Sequence, residues 1–291
     1  MHKKSHQLGF TLVELVMVIV LMGVIGGMVS VFMKSPIDAY IDSARRAGLT
    51  DVADTAVRRM GRDIRSALPN SLRTPSPTCV EFIPTKTGGR YRAEEIVAAD
   101  NTSLDFTLAD STFNMLASNL ALPTEQRIAA ADVIVVYNLG IPDSDAYQIT
   151  GNLNRAAVDA ASGSLGESGA PLETKIVITP STKFPLASGS SRFHVVPGGE
   201  NVVSYVCDLA AKQIYRTAST FANAASTSCT TSGALAVGST RSVLARNVSS
   251  CSFDYTGSDL QRNALVRMTM QFTESGETVS LQHEVHVNNT P

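Results

Sequence analysis

The 291-residue sequence has no tryptophan, only 6% aromatic residues and only 17% charged residues. A formal charge of −2 leaves no net attraction for a polyanion, and few rings are on hand to stack against bases. Nucleic acid is therefore excluded as a partner. Histidine is also scarce, with five in the chain. The pair in His283-Glu284-Val285-His286 lacks the H-E-x-x-H spacing of a helical zinc site, and on a strand residues three apart point to opposite faces. Gly88-Gly89 and Gly198-Gly199 precede no helix suited to cradling a phosphate and read as turn glycines. No G-x-S-x-G elbow occurs, and no Ser or Asp stands at a spacing that singles out a nucleophile. The expectation is a protein that is not an enzyme and needs no metal or cofactor.

Cysteine is limited to Cys79, Cys207, Cys229 and Cys251. An even number permits two disulfides in an oxidising compartment, with three possible connectivities. Cys207 and Cys229 flank the strand-like stretch from Gln213 to Arg216 and close a short loop. Pairing them leaves Cys79 with Cys251.

Against this sparse background, one long apolar run stands out. From Phe10 to Met33 the chain reads FTLVELVMVIVLMGVIGGMVSVFM, with Glu14 its only ionisable residue. Such a run exceeds the ~20 residues a helix needs to cross a bilayer. Lys3 and Lys4 precede it, whereas Lys34 alone follows closely; this bias keeps the N-terminus cytoplasmic and exports the rest. A cleaved secretory signal and a plain anchor are the competing readings. The run is too long for the former and continues through Val31, Phe32 and Met33 without a small-residue cleavage site. The latter has no use for Glu14, because an ionisable group within the membrane is costly. Gly23 and Gly27 form a small-xxx-small pair within the span, equally consistent with helix packing and with ordinary membrane composition.

The stretch Gly9-Phe10-Thr11-Leu12-Val13-Glu14-Leu15 resembles the G-F-T-L-x-E motif of type IV prepilins and type II secretion pseudopilins. The resemblance implies cleavage between Gly9 and Phe10 by a prepilin peptidase and N-methylation of Phe10. It also implies that Glu14 offers its carboxylate to the terminal amine of a neighbouring subunit. Residues 1–9 would be the leader and residues 10–34 the transmembrane helix. The implied partners are other pilin-like subunits, the peptidase/methyltransferase, an inner-membrane assembly platform and membrane lipid. The implied location is the bacterial inner membrane, single-pass with the C-terminal domain periplasmic, and then the filament.

Pro36 is expected to end or bend the first helix, since it lacks an N–H and crowds the preceding turn. A second stripe, from Ile37 and Ile41 through Leu49, Ala53, Ala56, Met60 and Ile64, recurs at three- and four-residue steps up to Leu68, before Pro69. Asp42/Arg46, Asp54/Arg58 and Arg59/Asp63 stand four apart, the spacing of exposed helix pairs. The interleaved aspartates mark a solvated face. With the resemblance, residues 36–68 continue a long, kinked N-terminal helix.

Residues 70–291 turn to short apolar or β-branched runs broken by Gly, Pro, Asn and Ser. Strands are expected at 79–83, 104–108, 133–139, 175–179, 192–196, 202–207, 213–216, 252–255, 265–272 and 278–287, the last two joined as a hairpin around Gly276. Residues 111–131 suggest a short helix, and Ser162 to Pro171 a loop. The fold class is thus α+β and pilin-like, a long helix packed on a β-rich domain.

A narrower resemblance rests on Pro36-Ile37-Asp38-Ala39-Tyr40, Arg58-Arg59-Met60-Gly61-Arg62-Asp63-Ile64-Arg65, Cys79-Val80-Glu81-Phe82-Ile83-Pro84, Gly88-Gly89-Arg90-Tyr91-Arg92, Asp132 to Gly140 and His286-Val287-Asn288-Asn289. These resemble the MshO-type minor pilin of mannose-sensitive haemagglutinin (MSHA) pili, and imply a subunit needed for pilus biogenesis. The J-type minor pseudopilin of type II secretion shares this plan. A membrane-anchored ectodomain that binds a ligand or surface is the rival class.

Overall fold

An α-helix, α1, runs unbroken from Leu12 to Arg65 in the computed structural model, which describes residues 9–98, 100–151, 153–159, 167–168, 173–224, 229–256 and 263–291. Its 54 residues amount to about 80 Å at ~1.5 Å per residue. Pro36 lies inside it, so the expected division between residues 34 and 36 is not a helix boundary. Proline forfeits one hydrogen bond, whereas stopping and restarting would orphan four backbone groups at each new end. The helix also stops earlier than Leu68. Ser66 forms the C-cap, Ala67 bridges to Pro84, and Leu68 donates its N–H to the Ile83 carbonyl at 2.7 Å.

Among the described residues fifteen strands follow: β1 (Arg73–Ser76), β2 (Cys79–Phe82), β3 (Thr87–Arg90), β4 (Asp110–Met115), β5 (Val133–Val136), β6 (Arg155–Val158), β7 (Glu167–Ser168), β8 (Glu173–Thr182), β9 (Arg192–Val196), β10 (Val202–Asp208), β11 (Gln213–Ser219), β12 (Thr240–Arg246), β13 (Val248–Thr256), β14 (Asn263–Glu274) and β15 (Glu277–Asn288). Among the described residues they form three sheets. One has the order β1-β2-β10-β11-β12, one β13-β14-β15, and one β3-β9-β5-β6-β8-β4 with β7 on β8. All pairings are antiparallel.

The first two sheets enclose one face of α1. Leu49, Ala53, Ala56, Met60 and Ile64 share a core with Val80 and Phe82 of β2, Tyr205 of β10, Met268 and Met270 of β14, and Val285 and Val287 of β15. Small residues on the helix permit this close approach. At Gly61 a Cβ would sit only 3.3 Å from His283 Nε2. The third sheet has its own core, including Phe113, Ile134, Ile176 and Phe193. Leu68, Ile83, Val133, Val135, Val196 and Val202 fill a joint next to it. Strand β5, Val133-Ile134-Val135-Val136, serves both cores, which is why it reads as an unbroken apolar run rather than an alternating one.

The β14–β15 hairpin closes on Ser275 and Gly276, at φ of 50° and 88°, as a two-residue turn with positive φ at both positions requires. Two expectations fail nearby in the chain. Residues 104–108 form no strand: Asp105 Oδ1 captures the Thr107 N–H at 2.6 Å and Asp110 Oδ2 the Asp105 N–H at 3.0 Å, a local alternative to ladder bonding. In place of a helix, residues 111–131 hold most of β4 and two 3-10 turns, Asn119–Ala121 and Thr124–Gln126. The Ser162 to Pro171 loop lies outside the described residues, apart from β7.

The expected disulfides are also re-paired. Cys79 bonds Cys229 and Cys207 bonds Cys251, with Cα separations of 5.6 and 6.3 Å. Strand alternation explains why. Cys79 lies opposite Val206 in the β2–β10 ladder, so Cys207, the next residue, points to the other face. That face is the α1 core, where Cys251 of β13 also sits. Cys229 lies across the Cys79 face, its N–H donating to Ser204 Oγ at 3.4 Å. Cys207 thus has its back to Cys229.

Candidate functional site

The residues implied at the N-terminus are contiguous and stand clear of the folded body. Gly9 has open space around it, and Phe10 is 87% exposed. Thr11 is extended at φ −76° and ψ 151° and caps α1. Its Oγ1 accepts from the Glu14 N–H at 3.3 Å, while Glu14 Oε2 accepts from the Thr11 N–H at 3.4 Å. This reciprocal capping box starts the helix at Leu12. The T-x-x-E spacing signals it, a role for Glu14 beyond the intersubunit one that the resemblance implies. The acid also complements the helix dipole at its positive end.

From Leu12 onward no residue of the helix is buried until Leu49, and the body first touches it at Arg46. Val13, Leu15, Val16, Met17, Ile19, Leu21 and their neighbours to Met33 are all exposed. The projecting part is about 55 Å long, and an 18-residue window of it is apolar enough to cross a membrane. So large an apolar surface in water would be an aggregation hazard; lipid or other helices must cover it.

Polar contacts fix the second half of α1 to the body. Arg46 pairs with Glu277 at the start of β15, and the hydrogen bond holds the Glu277 carboxyl below its ordinary range. Asp63 Oδ2 accepts from Tyr205 Oη at 2.6 Å and from Arg216 Nε at 3.2 Å. The other Arg216 nitrogens meet Glu200 at 3.0 and 2.7 Å. That fork lowers the Glu200 pKa and raises that of Arg216, while burial above all raises that of Tyr205. Asn70 donates through Nδ2 to the Asn138 carbonyl at 2.9 Å and through its N–H to Asn289 Oδ1 at 3.2 Å.

Of the three expected four-residue pairs, only Asp54/Arg58 forms, at 2.6 Å. Arg46 turns to Glu277, Asp42 pairs with Arg45 at 3.3 Å, and Asp63 binds Tyr205 and Arg216. At Asp63 the part-buried tertiary partners outcompete an exposed neighbour on the same helix. His283 turns toward α1 and His286 lies on the exposed face of β15. Among the described residues, no group of three or more His, Cys, Asp or Glu could hold a metal ion.

The structure thus places Gly9, Phe10 and Glu14 at the free tip of α1 and Pro36 about two-thirds of the way along its exposed part. The cysteines form a separate feature, bracing β2, β10 and β13 far from the N-terminus.

A family profile of the prokaryotic N-terminal methylation motif matches residues 4–30. No curated protein and no solved structure matches the chain. With the exposed apolar helix, the profile match supports a type IV pilin-like or pseudopilin protein anchored by a single membrane span. It implies processing by prepilin peptidase and assembly with other pilin subunits.

Proposed function

We propose that this chain is a minor pilin-like subunit needed for biogenesis of a type IV pilus of the MSHA type. In this reading the peptidase cuts between Gly9 and Phe10, Phe10 is methylated, and the subunit enters the filament through the exposed half of α1. The N-terminus faces the cytoplasm, following Lys3 and Lys4, and the β-rich domain is periplasmic before assembly. No catalytic role is assigned to it.

One observation carries the reading. Glu14 is the single ionisable side chain between Phe10 and Met33, and among the described residues its contacts are the long ones of its own helix cap, at 3.3 to 3.5 Å. A carboxylate in lipid is tolerated chiefly when paired. Cleavage before Phe10 creates an amine at the same membrane depth on every neighbour. The amine of one subunit meeting Glu14 of the next neutralises both charges and sets the axial register.

The MSHA assignment rests on the internal stretches between Pro36 and Asn289 that resemble the MshO-type minor pilin. A J-type minor pseudopilin shares the long helix and β-rich domain; deleting the gene separates the two, through loss of surface pili or loss of exoprotein secretion. Processing is tested by mass spectrometry of the N-terminal peptide from cells with active peptidase. The expected peptide begins at methylated Phe10. An intact Met1 leader would overturn the reading.

A further inference from the structure

Strand β15 lies along α1 in the same direction. Its start meets the helix at Arg46–Glu277, its middle at Gly61 against His283 and Val285, and the residue after its end at Asn70–Asn289. The lengths agree where both are regular: the fifteen helical steps from Arg46 to Gly61 cover about 22 Å, and the six strand steps from Glu277 to His283 about 20 Å. Among the described residues β15 pairs only with β14, so its other edge is open. Strand β13, at the opposite side of this sheet, is different, because its Phe253 N–H already donates to the Pro77 carbonyl at 2.8 Å.

The open edge is long and regular. All twelve residues from Glu277 to Asn288 keep register with β14 without a bulge. No proline or lysine interrupts them, although proteins commonly blunt exposed edges with such devices. Because the two-residue turn makes Glu274 and Glu277 the closing pair, the backbone N–H and C=O groups of Ser280, Gln282, Glu284 and His286 point outward.

Beside this edge runs a groove of ≈ 580 Å³ whose floor includes Gly61, Leu281 and His283, and whose wall carries Arg58, Arg62 and Arg65 at successive helical turns. Arg58 is paired with Asp54. Arg62 and Arg65 are exposed, and among the described residues neither has an ion pair.

We propose that the β15 edge and this groove form a docking site for an extended segment of a partner protein with acidic side chains at alternate positions. The segment adds as a further antiparallel or parallel strand about 4.8 Å beyond β15. Main-chain bonds to Ser280, Gln282, Glu284 and His286 hold it. Its alternate side chains face α1, where carboxylates meet the Arg62 and Arg65 guanidiniums, the fork best suited to bind them. The opposite side chains face solvent. A basic segment is repelled, and a second copy of β15 is poorly matched, since it would offer Glu284 as its single carboxylate among residues 278–288.

The test uses the full chain in detergent micelles and three synthetic peptides of about ten residues. One alternates Glu with Val, one alternates Lys with Val, and one keeps the Glu content but carries proline at two Val positions. The expected result is salt-sensitive binding of the first peptide alone, with slowed amide exchange at Ser280, Gln282 and Glu284. The double charge reversal Arg62→Glu/Arg65→Glu, on an exposed face, should weaken binding by roughly tenfold or more. Gln282→Pro removes an outward N–H and should do likewise. Equal binding of the proline-bearing peptide would reduce the contact to charge alone and overturn strand addition. Equal binding of the Lys peptide, undiminished binding to either variant, or no binding of the Glu peptide would overturn the site.

Discussion

Tyr205 donates its phenolic hydrogen to Asp63 Oδ2 at 2.6 Å, tying the last turn of the long helix to the centre of the first sheet. Tyr205 is fully buried, so the carboxylate is its means of satisfying the hydroxyl. Asp63→Ala should cost about 2–3 kcal/mol by stranding both the phenol and one face of Arg216. Tyr205→Phe in the same background should recover part of that loss. Denaturant unfolding of the detergent-solubilised protein checks both.

Arg73 pairs with Glu81, a carboxylate held wholly within the protein, and its guanidinium also stacks 3.6 Å over the Tyr147 ring. Removing the cation leaves a buried charge behind. Arg73→Ala should destabilise by about 3 kcal/mol, whereas Arg73→Ala/Glu81→Leu should lose much less. A double-mutant cycle of unfolding midpoints measures the difference.

His194 faces Val135 on one side and Gly88 on the other in its sheet. Burial, reinforced by the nearby Arg192 charge, pushes its pKa down from 6.5 to about 4. The unfolded chain therefore binds this proton first as pH falls. Stability from this residue is intact above about 6.5 and declines toward pH 4, by an amount on the order of 1 kcal/mol or more. His194→Gln should flatten that portion of the pH–stability curve. An unchanged curve would mean that His194 takes up its proton in the fold at the same pH as in the unfolded chain.

The disulfides are expected to map as Cys79–Cys229 and Cys207–Cys251. The sequence separations of 150 and 44 correspond to roughly 5 and 4 kcal/mol in the chain-entropy account. Non-reducing peptide mapping of the exported protein decides the pairing, and a Cys207–Cys229 peptide would contradict it.

Much of the architecture was legible because its signals are local. The GFTLVE stretch, the apolar run after it, and the periodic stripe from Leu49 to Ile64 need no tertiary knowledge, and the hairpin around Gly276 declares itself by turn chemistry. The Cys pairing was not legible, because it depends on which face of β10 each residue takes, and that is set by the register with β2. The spacing of Asp63 makes it a helix-surface charge, and nothing in its neighbourhood announces Tyr205 and Arg216, more than a hundred residues away. The capping role of Glu14 was present in the T-x-x-E spacing, but the family motif drew attention to the same residue for another reason. The α1–β15 groove had no sequence signal, since it exists only where the two elements run side by side.

Glu14 is about 50 Å along the helix from Leu49, its first buried residue, so its replacement cannot disturb the folded body directly. Glu14→Ala should still insert into the membrane and form both disulfides. The measurement is the amount of this subunit in sheared filaments relative to the membrane, for wild type, Glu14→Ala and Glu14→Lys. The expected result is a loss of about tenfold or more from filaments for Glu14→Ala, and a greater one for Glu14→Lys, which sets two cations together. Wild-type incorporation of Glu14→Ala would contradict the claim that this carboxylate is the contact through which the subunit assembles.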